Sequence, residues 1–370
     1  MYITTSNRTL PDSRPASSSP TAPPSVFNIA SSSGIAVRIT DYGARLMRVI
    51  VPDRHGTPTN VLLGMPTALD YLHDDVCLGA IIGRNANRIA NAHCTINGVT
   101  YTLSANDGSN NSHSGPRGFE HRRWQVVEAA SNAVTLTLDS PEGDQGFPGH
   151  MSVQAHYAIV GNTLSLTIDA DCNTPTIANM TNHSYWNLDG EDSGDMLDQT
   201  LTIPTPWFCP ISNDSIPLHT DSVAGTAMDF RKPRCIGEAL RCGRNVHDPQ
   251  IERARGYNHA FVFEDAHGVL EGAAPADPIT GMRTVAVAAS ERTGITMTQR
   301  ANTPAVLFYS AGYMDGVGGA SGHVYHPYAG FALEAGFVPN SINDDSQISS
   351  ELPAGQHYRL CIAWQFDVSD

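Results

Sequence analysis

Two residues in this chain could trade protons with a bound molecule near neutral pH, and both stand in unusual surroundings. His183 lies in TNHSYWNLDG (181–190), between an asparagine and an aromatic pair, in a segment that otherwise reads as the end of a buried strand. Glu334 lies in ALEAGFVPNSIN (332–343), behind two apolar residues at the end of a strand-like run. An imidazole changes charge in the physiological range and a carboxylate accepts a proton, so together they suit general acid–base work. Burying a carboxylate without partners is expensive. Glu334 therefore stands either on a solvent face or paired at a site. A histidine beside Asn and Tyr is also often a satisfied partner in a turn. That reading stays open for His183, and for His113 in NNSHSGPRGF (110–119). A fourth polar segment, GRNANRI (83–89), carries Arg84, Asn87 and Arg88. Arginine in a β protein is more often a surface residue or a structural hydrogen-bond fork than a ligand-binding group.

Other chemistries find little footing. His323 and His326 in HVYH, and His73 before Asp74 and Asp75, do not supply three ligands at metal spacing, so no metal site is expected. GxSxG, P-loop and GxGxxG motifs are absent. The cysteines number seven, an odd count, without a CxxC pair, which fits buried thiols in a reducing compartment. With 22 Lys plus Arg against 37 Asp plus Glu, the net charge is −15. Such a surface repels phosphate backbones and anionic lipid, so nucleic acid and membrane are poor partners, whereas a neutral small molecule is not excluded. The chain has no run of 18 apolar residues and no charged-then-apolar leader, and a cytoplasmic location is expected.

The elements that must position these groups are strands. IAVRITDYG (35–43), LMRVIVPD (46–53), VTLTLDS (134–140), LSLTIDADC (164–172), TVAVAAS (284–290), ITMTQR (295–300), AVLFYS (305–310) and YRLCIAWQFDV (358–368) are rich in β-branched and aromatic residues. CTINGVTYTL (94–103) predicts a hairpin, because Asn97-Gly98 supplies the two positive-φ positions of a type I′ turn. Short helical pieces are expected near 66–72 and 235–241, and long functional loops at 211–256 and 311–330. The 32 glycines and 24 prolines punctuate many short strands, which points to an all-β fold, a large antiparallel β-sandwich. Residues 7–24 are rich in Ser and Pro and cannot bury enough surface to offset ordering. The chain thus divides into a tail, 1–26, and a single domain, 27–370.

Taken together and in order, the motifs resemble one family, the aldose 1-epimerases or galactose mutarotases. DYGARLMRVIVPDRHG (41–56), GRNANRIANAHCTINGVTYTL (83–103), His113 in NSHSGPRGF, GDQGFPG (143–149), NMTNHSYWNLDG (179–190), GYNHAFVF (256–263) and ALEAGFVPNSIN follow the family's pattern from about residue 27 to the C-terminus. The resemblance implies a large β-sandwich with a sugar in an open cleft on one sheet. It implies Glu334 as general base and His183 as general acid in the interconversion of α and β anomers of a free aldose, with no cofactor. Each charge would favour the other, keeping Glu334 ionised and His183 protonated. Asn87, Arg88 and His113 match positions that hold sugar hydroxyls and the ring oxygen, and Asn258 matches a sugar-binding Asp. Trp186, Tyr185, Phe119 and Phe308 are candidates for an apolar sugar face. The expected partner is a monosaccharide, and the protein a monomer or homodimer.

Several positions depart from the family pattern. Asn258 replaces the Asp, Leu307 stands where relatives often have a Gln, Asn340 replaces an Asp, and Ser112 and Ser114 replace Leu and Gly. The acid and base are retained while the specificity residues shift, so a pentose, glucose or a less usual aldose is as suitable as galactose. Two other readings fit the same scaffold: a sugar-binding protein without turnover, and an isomerase of another cyclic hemiacetal or lactone. Replacing Asn258 by Asp restores an acceptor and a charge. Asn258→Asp is expected to raise activity on galactose relative to xylose in polarimetric assays; an unchanged ratio contradicts this reading of specificity.

Overall fold

The computed structural model describes residues 22–241 and 248–369. Its ladders are antiparallel and build two large sheets. The nine-stranded sheet runs in the order Gln125–Ala129, Ala133–Ser140, Met151–Val160, Thr163–Cys172, His357–Val368, Ile295–Ala301, Arg283–Ala289, Thr200–Thr202, Arg234–Cys235. The six-stranded sheet runs Tyr185–Trp186, Phe331–Gly336, Ala305–Tyr309, Asn258–Val262, Trp207–Phe208, Asp221–Ser222. A four-stranded meander, Val26–Ala30, Ala36–Thr40, Arg45–Pro52 and Pro58–Asn60, adds Ile29, Val37, Ile39 and Val49 to the common core. The expected all-β sandwich is what the chain forms.

Period-two patterning explains which residues meet in the middle. Thr163–Cys172 alternates half-buried and buried positions, with Leu164, Leu166, Ile168 and Ala170 inward. Trp364 and Phe366 of the nine-stranded sheet pack on Trp186 of the six-stranded sheet, with ring centroids 5.7 and 5.8 Å away. Contacts of this kind each add about 0.5–1.5 kcal/mol beyond area burial. The hairpin forms as its turn chemistry requires: Asn97 (φ 47°) and Gly98 (φ 76°) join Ile96 to Val99.

Phe331–Gly336 is buried at every position because it is covered on both faces. Phe331, Leu333 and Ala335 point into the common core, so by alternation Ala332 and Glu334 point the other way. The neighbouring strand repeats this, with Val306 and Phe308 inward, and Leu307 and Tyr309 opposite Glu334 and Ala332. Next along, Phe261 faces the core and Asn258 pairs with Tyr309. One face of the six-stranded sheet thus holds apolar packing. Its other face lines up Glu334, Tyr309 and Asn258.

Some local expectations are corrected. Met151–Val160 is a ten-residue strand that the sequence reading passes over. The helical pieces expected at 66–72 and 235–241 are the short 3-10 turns Asp70–His73 and Ile236–Glu238. The α-helix among the described residues is Pro249–Ala254, inside the stretch read as a loop, capped by Asp248 whose side chain accepts from Gln250 N. Most of the tail, 1–21, lies outside the described residues. Val26, its last residue, opens the first strand of the meander. No helix among the described residues is long and apolar enough to cross a membrane.

Candidate active site

His183 sits at a break in a strand. Thr181–Asn182 pairs with Ile81–Ile82, whereas Tyr185–Trp186 pairs with Phe331 and Ala332. Continued past Tyr185–Ala332, that second register would set His183 directly opposite Glu334. Instead the His183 backbone is held by another loop: its N–H donates to Ala80 O (2.8 Å) and its carbonyl accepts from Gly79 N (3.0 Å). A β-carbon on Gly79 would lie 1.9 Å from Leu46 O, so the loop can pass only as glycine. The loop is in turn fixed by a buried ion pair between Arg45 and Asp74. Arg45 also donates to Leu78 O (3.2 Å) and Glu120 O (2.9 Å), and Asp74 accepts from Leu78 N (2.8 Å). The result brings His183 Nε2 to 3.6 Å from Glu334 Oε1, each residue only 5% exposed. His183 Nδ1 and Glu334 Oε2 are buried without a hydrogen-bond partner. Buried polar atoms are normally satisfied, so these two call for an explanation, and a polar ligand in the cleft would supply one.

The other expected residues gather around the same cavity of about 410 Å³, which Asn87, Arg88, His113, His183, Asn258 and Glu334 all line. Asn87–Arg88 and His113 are stapled together. Arg88 pairs with Ser112, His113 N donates to Asn87 O (3.1 Å), and Ser114 Oγ accepts from Asn85 N (2.7 Å) and donates to Asn85 O (3.1 Å). Asn87, His113 and Ser114 all have positive φ (63°, 48° and 69°), a concentration of backbone strain that is characteristic of sites. Arg88 Nε donates to Asp107 Oδ2 (2.7 Å), which aims the guanidinium. Asn258 is half-buried, and its N–H donates to His259 Nδ1 (3.1 Å). The other nitrogen of His259 therefore carries the proton and donates to Gln250 Oε1 (3.1 Å) of the α-helix.

Among the histidines of the cleft, His113 departs from an ordinary imidazole. Asn87 N donates to His113 Nδ1 (3.3 Å), which leaves the His113 proton on Nε2. Enclosure of the ring, helped by His183, Arg88 and His121, pushes His113 well below the usual imidazole range. His113 is thus a neutral hydrogen-bond donor. Its ring lies 5.4 Å from that of His183, edge to face. Burial raises the Glu334 carboxyl above its ordinary value, against the opposing pull of His183 and then Arg88. Pairing alone had implied a carboxylate held firmly ionised; desolvation reverses the net direction. Glu120, also lining the cavity, is pushed by burial to about 7.

Other expectations divide. Arg84 is a structural clamp: its fully buried guanidinium makes six hydrogen bonds, to Ser140 Oγ and O, Pro141 O, Pro148 O, Gly149 O and Thr176 Oγ1. Of the proposed aromatic platforms only Tyr185 lines the cleft; Trp186, Phe119 and Phe308 are core residues. Sequence reasoning missed Tyr309, Tyr313, Asp107 and Glu120 on the wall. Tyr309 could have been found by counting two residues on from Leu307. Leu307 itself is buried opposite Glu334 and is not among the residues lining the cavity. Among the described residues no three His, Cys, Asp or Glu side chains gather as a metal site.

The aldose 1-epimerase family model matches residues 25–364. The chain belongs to the aldose 1-epimerase family. It is 34% identical over 345 residues to an aldose 1-epimerase of Escherichia coli K12, covering 92% of this chain and 94% of the relative. It is 30% identical over 337 residues to a galactose mutarotase of Sus scrofa, covering 90% and 92%. The crystal structure of an aldose epimerase homologue from C. elegans superposes with a TM-score of 0.83 at 26% identity, covering 94% of this chain and all of the other. The protein is accordingly an isomerase. Two departures from the family pattern have structural roles here. Asn340, at φ 65°, suits the left-handed region, and its Oδ1 accepts from Ala90 N (3.0 Å). Ser114, read from the sequence as replacing a Gly of the family pattern, supplies the staple to Asn85.

A raised carboxyl in the fold means that the native state binds its proton more tightly than the unfolded chain does. Stability from this group is present at low pH. It is lost as pH rises from the ordinary glutamate value through the raised one. Glu334→Gln is therefore expected to raise Tm at neutral pH, with a gain that shrinks toward pH 5; a Tm equal to or below wild type at pH 7–8 contradicts the burial argument.

Proposed function

We propose that this enzyme interconverts the α and β anomers of a free aldose by opening and reclosing the ring. The observation that carries the proposal is the approach of His183 Nε2 and Glu334 Oε1 to 3.6 Å at the wall of the cleft. In a cyclic hemiacetal the anomeric hydroxyl and the ring oxygen are bonded to the same carbon. One acid and one base must therefore reach two atoms a single bond angle apart. Groups this close can each come within hydrogen-bond reach of one of them, about 2.6–3.2 Å.

In the proposed sequence, Glu334 takes the proton of the C1 hydroxyl as protonated His183 gives one to the ring oxygen. The bond between C1 and the ring oxygen breaks, leaving an aldehyde and a hydroxyl. Rotation about C1–C2 presents the other face. His183 then removes the proton from that hydroxyl as its oxygen attacks C1, and Glu334 returns its proton to the carbonyl oxygen. Both residues finish as they began, and no redox partner or cofactor is consumed. A carboxyl raised by burial is a stronger base than an ordinary glutamate, which favours the first step. His113, a neutral donor, and Arg88, aimed by Asp107, suit binding of hydroxyls and of the oxygen that gains charge. Asn87 and Asn258 add uncharged amides, and Tyr185, Tyr309 and Tyr313 supply ring faces. Six unpaired cysteines among the described residues, four of them buried, support a reducing, cytoplasmic setting.

Polarimetry on freshly dissolved α-glucose, α-galactose and α-xylose tests this directly. Wild type is expected to speed the approach to equilibrium on at least one sugar. Glu334→Gln and His183→Asn should each lose about 10²–10⁴-fold. Saturable binding with no acceleration would leave a sugar-binding protein, and no effect on any aldose would favour another cyclic substrate.

A further inference from the structure

We infer that Gln299, on the far side of the core from the cleft, is a positioning residue for Glu334. This rests on the reading of Glu334 as the base. The starting point is the break at His183. Tyr185 O accepts from Leu63 N (2.9 Å) and Asn187 N donates to Val61 O (2.9 Å), so these two residues turn their backbone groups away from the Glu334 strand. Trp186 is left to pair with Phe331. The backbone groups of Phe331, Leu333 and Ala335 therefore face the His183 side, where an unbroken ladder would bring Ser184 opposite Leu333. The ladder is broken there, because His183 has gone to Gly79 and Ala80. The excursion that presents the acid thus removes a strand partner from the residue next to the base.

Side chains fill the gap. Gln299 Nε2 donates to Leu333 O (2.9 Å), and Thr181 Oγ1 donates to Ala335 O (2.9 Å). The two carbonyls flank Glu334 in sequence. Gln299 is unusual for its place: it is fully buried in the inward row Ile295, Met297, Gln299, Ala301, where every other member is apolar. Its amide is held from the other end by Trp364 Nε1, which donates to Gln299 Oε1 (2.9 Å) and is its register partner across the strands. Trp364 packs on Trp186, which pairs with Phe331 of the Glu334 strand. The linkage Trp364–Gln299–Leu333 crosses an apolar core and ends one residue before the carboxylate. Loss of the amide would leave a buried carbonyl and a buried indole N–H unsatisfied and free the strand just where the carboxyl must meet His183.

The test compares Gln299→Leu, Gln299→Glu and Trp364→Phe with wild type and Glu334→Gln, using polarimetric kcat and KM on the best aldose together with thermal melts. A displacement on the order of 1 Å costs about 10²-fold in rate. Gln299→Leu is therefore expected to lower kcat at least about tenfold with KM changed less than about twofold. Gln299→Glu, whose neutral carboxyl can donate to Leu333 O and accept from Trp364, should recover most of that loss. Trp364→Phe should fall between. A folded Gln299→Leu with wild-type kcat and only a lower Tm overturns the inference, as does Gln299→Glu failing as badly as Gln299→Leu. If Gln299→Leu does not fold, Trp364→Phe decides in the same way, with unchanged kcat overturning it. Full activity in Glu334→Gln instead overturns the reading of the base, and is distinguishable because it does not involve Gln299.

Discussion

The rest of the structure serves the meeting of Glu334 with His183, 3.6 Å apart and nearly sealed from water. A carboxylate in such a place has lost its hydration, and what replaces it decides both its charge and its strength as a base. Burial raises its affinity for a proton; His183 and Arg88 oppose this without cancelling it. The group is left closer to neutrality than a surface glutamate, the condition in which a carboxyl exchanges protons most usefully with a sugar hydroxyl. The cost of that desolvation is carried as lost stability, because His183 and Arg88 offset it only in part.

The sandwich supplies what this arrangement needs. A carboxylate on a central strand, with apolar packing on the opposite face, has a mount that moves little. The imidazole is placed differently, by breaking a strand and tying the freed residue to a loop fixed by Arg45 and Asp74. Asn87, Arg88 and His113, the residues proposed to bind the substrate, come from a third source, two segments stapled to each other and held in strained backbone conformations. Strand, strand break and stapled loops converge on one cavity, so small changes in any of them alter the same geometry.

Much of this could be read from residue types. Most strands show themselves through β-branched patterning, and the Asn97-Gly98 turn fixes its hairpin outright. Met151–Val160 also alternates, but Ala155, Ala158 and His156 dilute the apolar signal. The helix Pro249–Ala254 is too short for a 3.6-residue period to emerge; only the Asp248-Pro249 start marks it. His183 and Glu334 are legible because each interrupts a pattern that burial would otherwise demand. Tyr309 is hidden because its role depends on which face of a fully buried strand meets the cleft. Arg84 looks like its neighbour Arg88 in sequence, and only the carbonyls around it reveal a clamp. The direction of the Glu334 shift escaped for a similar reason: pairing is visible in residue types, whereas the extent of desolvation is a property of the packed fold.

If Glu334 and His183 act as one unit on one ring, their contributions cannot be independent. The most direct measurement is a double-mutant cycle in kcat/KM, read by polarimetry or by anomer-exchange NMR, over wild type, Glu334→Gln, His183→Asn and the double variant. The account expects the double variant to be about as slow as the slower single one, since removing either partner already disables the exchange. Losses that multiply, each residue subtracting its own share regardless of the other, would contradict it.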